Sequence, residues 1–131
     1  MPEQHLFEYA VIRVVPRVER EEFLNVGVIV YCRDRRFLQA VYLLNEEQLI
    51  AAFPGVDIPL IQRYLDAFVA IAAADKNAGP IAQLDAASRF RWLTATRSTI
   101  IQSSKVHPGL CSDPLQQVQR LLKEFVLGNE E

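Results

Sequence analysis

The chain has 131 residues, 50% of them apolar, which suits one ordinary domain able to build its own core. A formal net charge of −2 gives no electrostatic prior for nucleic acid or an anionic membrane surface, and no apolar run approaches the roughly 20 residues that cross a bilayer. Two cysteines are too few for a disulfide framework and fit a reducing cytoplasm, and the opening MPEQHLFEY lacks the regions of a secretion signal.

Phe7–Val15 is β-branched and aromatic and stops at Pro16, so it reads as a strand. It is apolar on both faces apart from Arg13, which predicts a central place in a sheet. A charged connection, Arg17 to Phe23, has room for one helical turn. Asn25–Cys32 and Arg36–Leu44 read as two more strands joined by a hairpin at Arg33–Arg35. Cys32 reads as a small core residue. Gly27, inside a strand, predicts a bulge or a close backbone approach, the bulge being the plainer of the two.

Helical signals follow. Asn45 and Gln48 form a capping box opening a short helix to about Phe53. Asp57 caps a longer helix with Ile61, Tyr64, Leu65, Phe68, Ile71 and Ala72 on one stripe. A short helix is expected from Pro80 to about Ala87, then a strand over Arg89–Leu93, where charged and aromatic residues alternate. Another strand is expected around Thr99–Ser103. Asp113-Pro114 caps a last helix with Leu115, Val118, Leu122, Phe125 and Val126 buried, ended by Gly128. The expectation is a single α+β domain over 1–131: an antiparallel sheet of about three to five strands packed against three to four helices.

No enzyme motif is present: the glycines are scattered, His5 and His107 lie far apart, and no metal-ligand spacing or cofactor fingerprint occurs. Two polar groups ask for explanation. A guanidinium at Arg13 must be paired or reach the sheet's edge, and the plain reading is an ion pair with Glu19, Glu21 or Glu22; the other is a bound anion. Between Ala86 and Ser112 stand Arg89, Arg91, Arg97 and Lys105 with many hydroxyls and no acid. Within that window Arg97, Ser98, Gln102, Ser104, Lys105 and His107 could hold an oxyanion, or the hydroxyls could satisfy the backbone of a polar loop.

The blocks YAVIRVVP, RVEREEFLNVGVIV and FRWLTATRSTIIQSSKVHPGLCSDP resemble the signature blocks of a bacterial family, the domain of unknown function numbered three thousand and thirty-seven. The resemblance covers nearly the whole chain. It implies a small cytoplasmic protein with no established activity, often encoded beside a HipA-like kinase-fold protein that is then a candidate partner. The positions matching the family's polar pattern are Arg13, Arg20, Glu22, Asn25 and Gly27, then Arg97, Ser98, Gln102, Ser104, His107, Gly109 and Asp113. Where the family usually shows Arg-Gly-Glu, this chain has Arg20-Glu21-Glu22.

Two functional readings follow. The first is a non-enzymatic binding or regulatory module working with a protein partner, with Arg13, Arg20 and Asn25 meeting Arg97 to His107 on one surface. The second is a small enzyme or binding protein for a phosphorylated or other anionic ligand, held by Arg13 and Arg97 with His107 as acid or base. An enzyme would bring Arg97 and His107 into one pocket.

Overall fold

The computed structural model describes residues 3–128. It is an α+β arrangement built on a five-stranded antiparallel sheet. The strands are β1 (His5–Val14), β2 (Leu24–Cys32), β3 (Phe37–Tyr42), β4 (Ile101–Ser103) and β5 (His107–Cys111). The helices are α1 (Glu46–Ala52), α2 (Ile58–Ala72), α3 (Ala86–Thr94) and α4 (Pro114–Phe125).

β1 is central, as its two apolar faces predict. β2 pairs along one side of it and β3 follows through the expected hairpin, whose last turn residue, Arg36, has φ of 50°. On the other side β4 pairs with Ile12–Val14 and β5 with His5–Tyr9. The two short strands thus lie end to end along one edge, separated by Ser104–Val106.

Alternation along β1 sends side chains to two cores. Ala10, Ile12 and Val14 pack with Ile29, Ala40 and the buried stripe Ile61, Leu65, Phe68, Ile71 and Ala72 of α2, together with Leu49 of α1 and Phe90 of α3. Phe7 on the opposite face joins Val28, Val30, both cysteines and Val118, Leu121 and Leu122 of α4. The sheet is therefore covered on both faces. Asn45 and Asp57 cap α1 and α2 as predicted, accepting from Gln48 N–H at 3.0 Å and Leu60 N–H at 3.1 Å. Asp113 accepts from Leu115 N–H at 3.1 Å.

Gly27 serves both purposes open to a strand glycine. Val26 is an extra residue in the β1–β2 register, a bulge, and a Cβ on Gly27 would stand 2.3 Å from Val41 O of β3. In the Arg17–Phe23 connection a 3-10 turn over Val18–Arg20 ends at Glu21, which is left-handed at φ 56°. Glycine is the residue that adopts that conformation without steric cost, and here a glutamate takes it.

Three expectations need correction, and one strand lies where none was expected. Arg89–Leu93 is not a strand but the body of α3. Asp85 Oδ1 accepts Ser88 N–H at 2.7 Å, and helical spacing buries Phe90 and Leu93 while turning Arg91 and Trp92 outward. Five residues of alternation could not distinguish the two periods. That hydrogen bond also lowers the Asp85 carboxyl pKa below its ordinary value. Pro80 to Ala87 is correspondingly not one helix: a 3-10 turn over Pro80–Gln83 breaks before the Asp85 cap. His107–Cys111 is a strand, despite Pro108-Gly109. Pro is tolerated on an edge, and Gly109 lies under the Phe7 ring, where a Cβ would come within 2.7 Å of two ring carbons. Finally, Leu115 is 52% exposed, and Leu121 takes its place in the buried stripe of α4.

Candidate functional site

The site begins where α3 stops. The helix gives way to extended backbone at Ala95, and Arg97 folds back over the end, donating from Nη2 to the carbonyl of Trp92. Its guanidinium carbon lies 4.2 Å from the centre of the Trp92 ring, a cation–π stack that fixes the plane of both groups. Trp92 itself stays 40% exposed. One Arg97 nitrogen is occupied by the carbonyl, and the rest of the planar fork remains available for a carboxylate or phosphate.

Beside this pair is a cavity of about 560 Å³, within the size range of small-molecule sites. Tyr64, Ala67, Phe68 and Ile71 of α2 form one wall, and Trp92 and Leu93 of α3 a second. The segment from Ala95 through β4 forms the third. Arg97 is the one charged side chain among its described walls. Those walls otherwise offer the Tyr64, Ser98, Thr99 and Ser103 hydroxyls and the Gln102 amide, with no carboxylate, imidazole or thiol.

The nine residues singled out from sequence do not form one constellation. Arg97, Ser98 and Gln102 line this cavity. Gln102 is partly committed, because its Nε2 donates to Thr99 O at 2.9 Å. Ser104 is buried and built into the sheet, accepting Val11 N–H at 2.8 Å and donating to Lys105 O at 2.9 Å. It holds the backbone, as the polar-loop reading proposed. Lys105 and His107 are exposed; the His107 ring sits 5.5 Å from that of Tyr9 and is not among the cavity walls.

Arg13 and Asn25 are cross-strand neighbours on the face that α4 covers. Asn25 Nδ2 donates to Phe125 O at 3.2 Å, near the C-terminal end of α4. Arg13 forms no ion pair among the described residues, which overturns the expected partnership with Glu19, Glu21 or Glu22. Its guanidinium carbon instead lies 4.1 Å from the centre of the Phe23 ring. An aromatic face accepts the cation without the desolvation of a second charge. Glu22 pairs with Arg20 at 3.0 Å, both on the surface beside a second, more polar cavity near Pro54–Asp57. So the reading that joined Arg13, Arg97 and His107 in one site loses its geometry.

Sequence reasoning missed most of the cavity: Tyr64, Ala67, Trp92, Leu93 and Ile101 carry no motif. One signal was present, an aromatic at Trp92 five residues before Arg97, but it needed α3 to be recognised as a helix. Among the described residues no group of three His, Cys, Asp or Glu side chains could hold a metal ion, and no helix is long and apolar enough to cross a membrane.

Residues 9–126 match the family model described as protein of unknown function (DUF3037). The chain belongs to this family. No curated protein and no solved structure matches it. The matched span of this DUF3037 member includes the whole cavity, from Val18 to Ser103, together with both arginine–aromatic stacks.

Proposed function

We propose that the protein is a non-enzymatic binding module whose ligand seats an apolar group in the cavity between α2, α3 and β4 and an anionic group against Arg97. The observation that carries this reading is the pairing of apolar walls with one oriented guanidinium at their rim. Apolar burial supplies affinity and the fork supplies selectivity for a planar anion. Binding is favoured over catalysis because the described walls bring together no acid and base. A protein partner, HipA-like by the family resemblance, fits the same reading if it delivers such a group on its own chain.

Octanoate is a direct probe of this chemistry. In a titration followed by amide NMR, shifts are expected at Ile71, Ser98 and Ile101 and at the Trp92 indole. Shifts centred on Arg13, Asn25 or His107 would move the site to the opposite face of the sheet and defeat the proposal.

A further inference from the structure

The third wall of the cavity is the free edge of a sheet. Val15 N–H donates to Ile100 O at 2.7 Å, and Ser104 N–H donates to Val11 O at 2.9 Å. In an antiparallel ladder the hydrogen-bonded residues alternate, so Ile100, Gln102 and Ser104 face β1 while Ile101 and Ser103 turn their main-chain groups outward. Thr99 Oγ1 donates to Ile101 O at 2.6 Å. Among the described residues this leaves Ile101 N–H and both main-chain groups of Ser103 open for a further strand.

The rest of this edge is less receptive. Ser104–Val106 interrupts the line between β4 and β5, and Pro108 has no N–H to offer. The open stretch is therefore confined to β4, directly beside the apolar walls. In register with Val14 and Ile12, the Ile101 and Ser103 side chains share the face on which α2 and α3 pack. A strand added to β4 would point alternate side chains toward the same cavity.

We infer that the occupant is an extended segment of a partner protein. It adds to β4 as a short strand, lowers one apolar side chain between Phe68, Ile71 and Trp92, and sets a carboxylate against Arg97. This rests on the binding reading above and names its ligand class. Charge complementarity selects the carboxylate, because Arg97 is the one charge on the described walls and no acid occurs anywhere from Ala86 to Ser112. Main-chain bonds to Ile101 and Ser103 would give affinity with little sequence demand, and the cavity and Arg97 would give selectivity. The carboxylate can come from an Asp or Glu of the segment or from the partner's terminal carboxyl group.

The test uses the full protein and a set of short Val/Thr-rich peptides with each apolar residue in turn at the centre. Each is made with a free C-terminal carboxylate, as the C-terminal amide, and as the amide carrying an internal Asp. Hydrogen exchange at the Ile101 and Ser103 amides should slow on binding of a carboxylate-bearing form, and the form that succeeds identifies the source. N-methylating the peptide amides one at a time removes ladder donors while leaving every cavity wall intact. Methylation at the alternate residues that face β4 should weaken the peptide about fivefold or more, and at the residues between them by no more than about twofold. Peptide binding without protection of those amides, or octanoate binding with no peptide binding, would each overturn strand addition and leave the cavity reading standing, and equal binding of all three forms would overturn the carboxylate at Arg97. If neither probe binds, both readings fall.

Discussion

Ser104 Oγ accepts the backbone N–H of Val11 at 2.8 Å, in the ladder position that a main-chain carbonyl would normally fill. The Ser104 N–H returns the second bond to Val11 O. One hydroxyl thus lets the edge strand take in extra residues between β4 and β5 without stranding a buried donor on the central strand. Ser104 is only 7% exposed, so no water can readily replace it.

Ser104→Ala is therefore expected to leave the Val11 N–H unsatisfied and to destabilise the protein by about 1 to 3 kcal/mol. Ser103→Ala, one residue earlier, removes only a hydroxyl that donates to the Ser104 carbonyl at 2.6 Å and should cost less, about 0.5 to 1 kcal/mol. Denaturant melts of the two variants check the contrast, and equal midpoints would mean that the hydroxyl is dispensable.

Gly27 and Gly109 both exclude a side chain, but against different obstacles. A Cβ at Gly27 meets the carbonyl of Val41 at 2.3 Å, and backbone bonded into a sheet ladder yields less easily than a side chain. A Cβ at Gly109 meets the Phe7 ring, which can tilt at some cost in packing. Gly27→Ala should cost about 3 kcal/mol or more, and Gly109→Ala about 1 to 2 kcal/mol. Thermal unfolding of both orders them; a milder effect at Gly27 would contradict the close approach.

Arg13 stacks on Phe23 rather than pairing with an acid. Because Phe23 is 46% exposed, the contact belongs to the weaker, solvated class. Arg13→Ala should cost about 0.5 to 1 kcal/mol, well under the loss of about 3 to 5 kcal/mol expected from breaking a buried ion pair. Replacing Glu19, Glu21 and Glu22 together by Gln should not reproduce the Arg13→Ala effect. If it did, the ion pair would be restored.

Much of the sheet is legible in the sequence because β1 is apolar on both faces and Pro16 ends it, while Asn45, Asp57 and Asp113 announce helices by their capping chemistry. The misreadings share one origin: short segments whose local signal points the wrong way. Arg89–Leu93 has too few residues to separate strand from helical periodicity, and its Asp85 cap falls inside the helix expected from Pro80. Pro108-Gly109 resembles a turn because nothing local says that Phe7 needs a glycine beneath it. The candidate polar residues are scattered for a similar reason. Arg13 and Arg97 look alike in sequence, but β1 alternation sends one to the α4 face and the end of α3 sends the other to the opposite side.

Glu21 occupies a left-handed conformation that disfavours side chains. Glu21→Gly should raise stability by about 0.5 to 1 kcal/mol, since the strain relieved outweighs the added freedom of the unfolded state. A destabilised variant in chemical denaturation would show that the Glu21 carboxylate arm contributes more than its backbone costs.

The most direct measurement uses Trp92, the single tryptophan of the protein, which stands in the cavity wall beneath Arg97. Its emission is followed during titration with octanoate and, separately, with octanol, in the parent protein and in Arg97→Ala. The account predicts a saturable change with octanoate whose dissociation constant rises about tenfold or more in Arg97→Ala, the size of one lost charge-assisted hydrogen bond, with octanol little affected. An unresponsive Trp92, or octanoate affinity unchanged by Arg97→Ala, would contradict it.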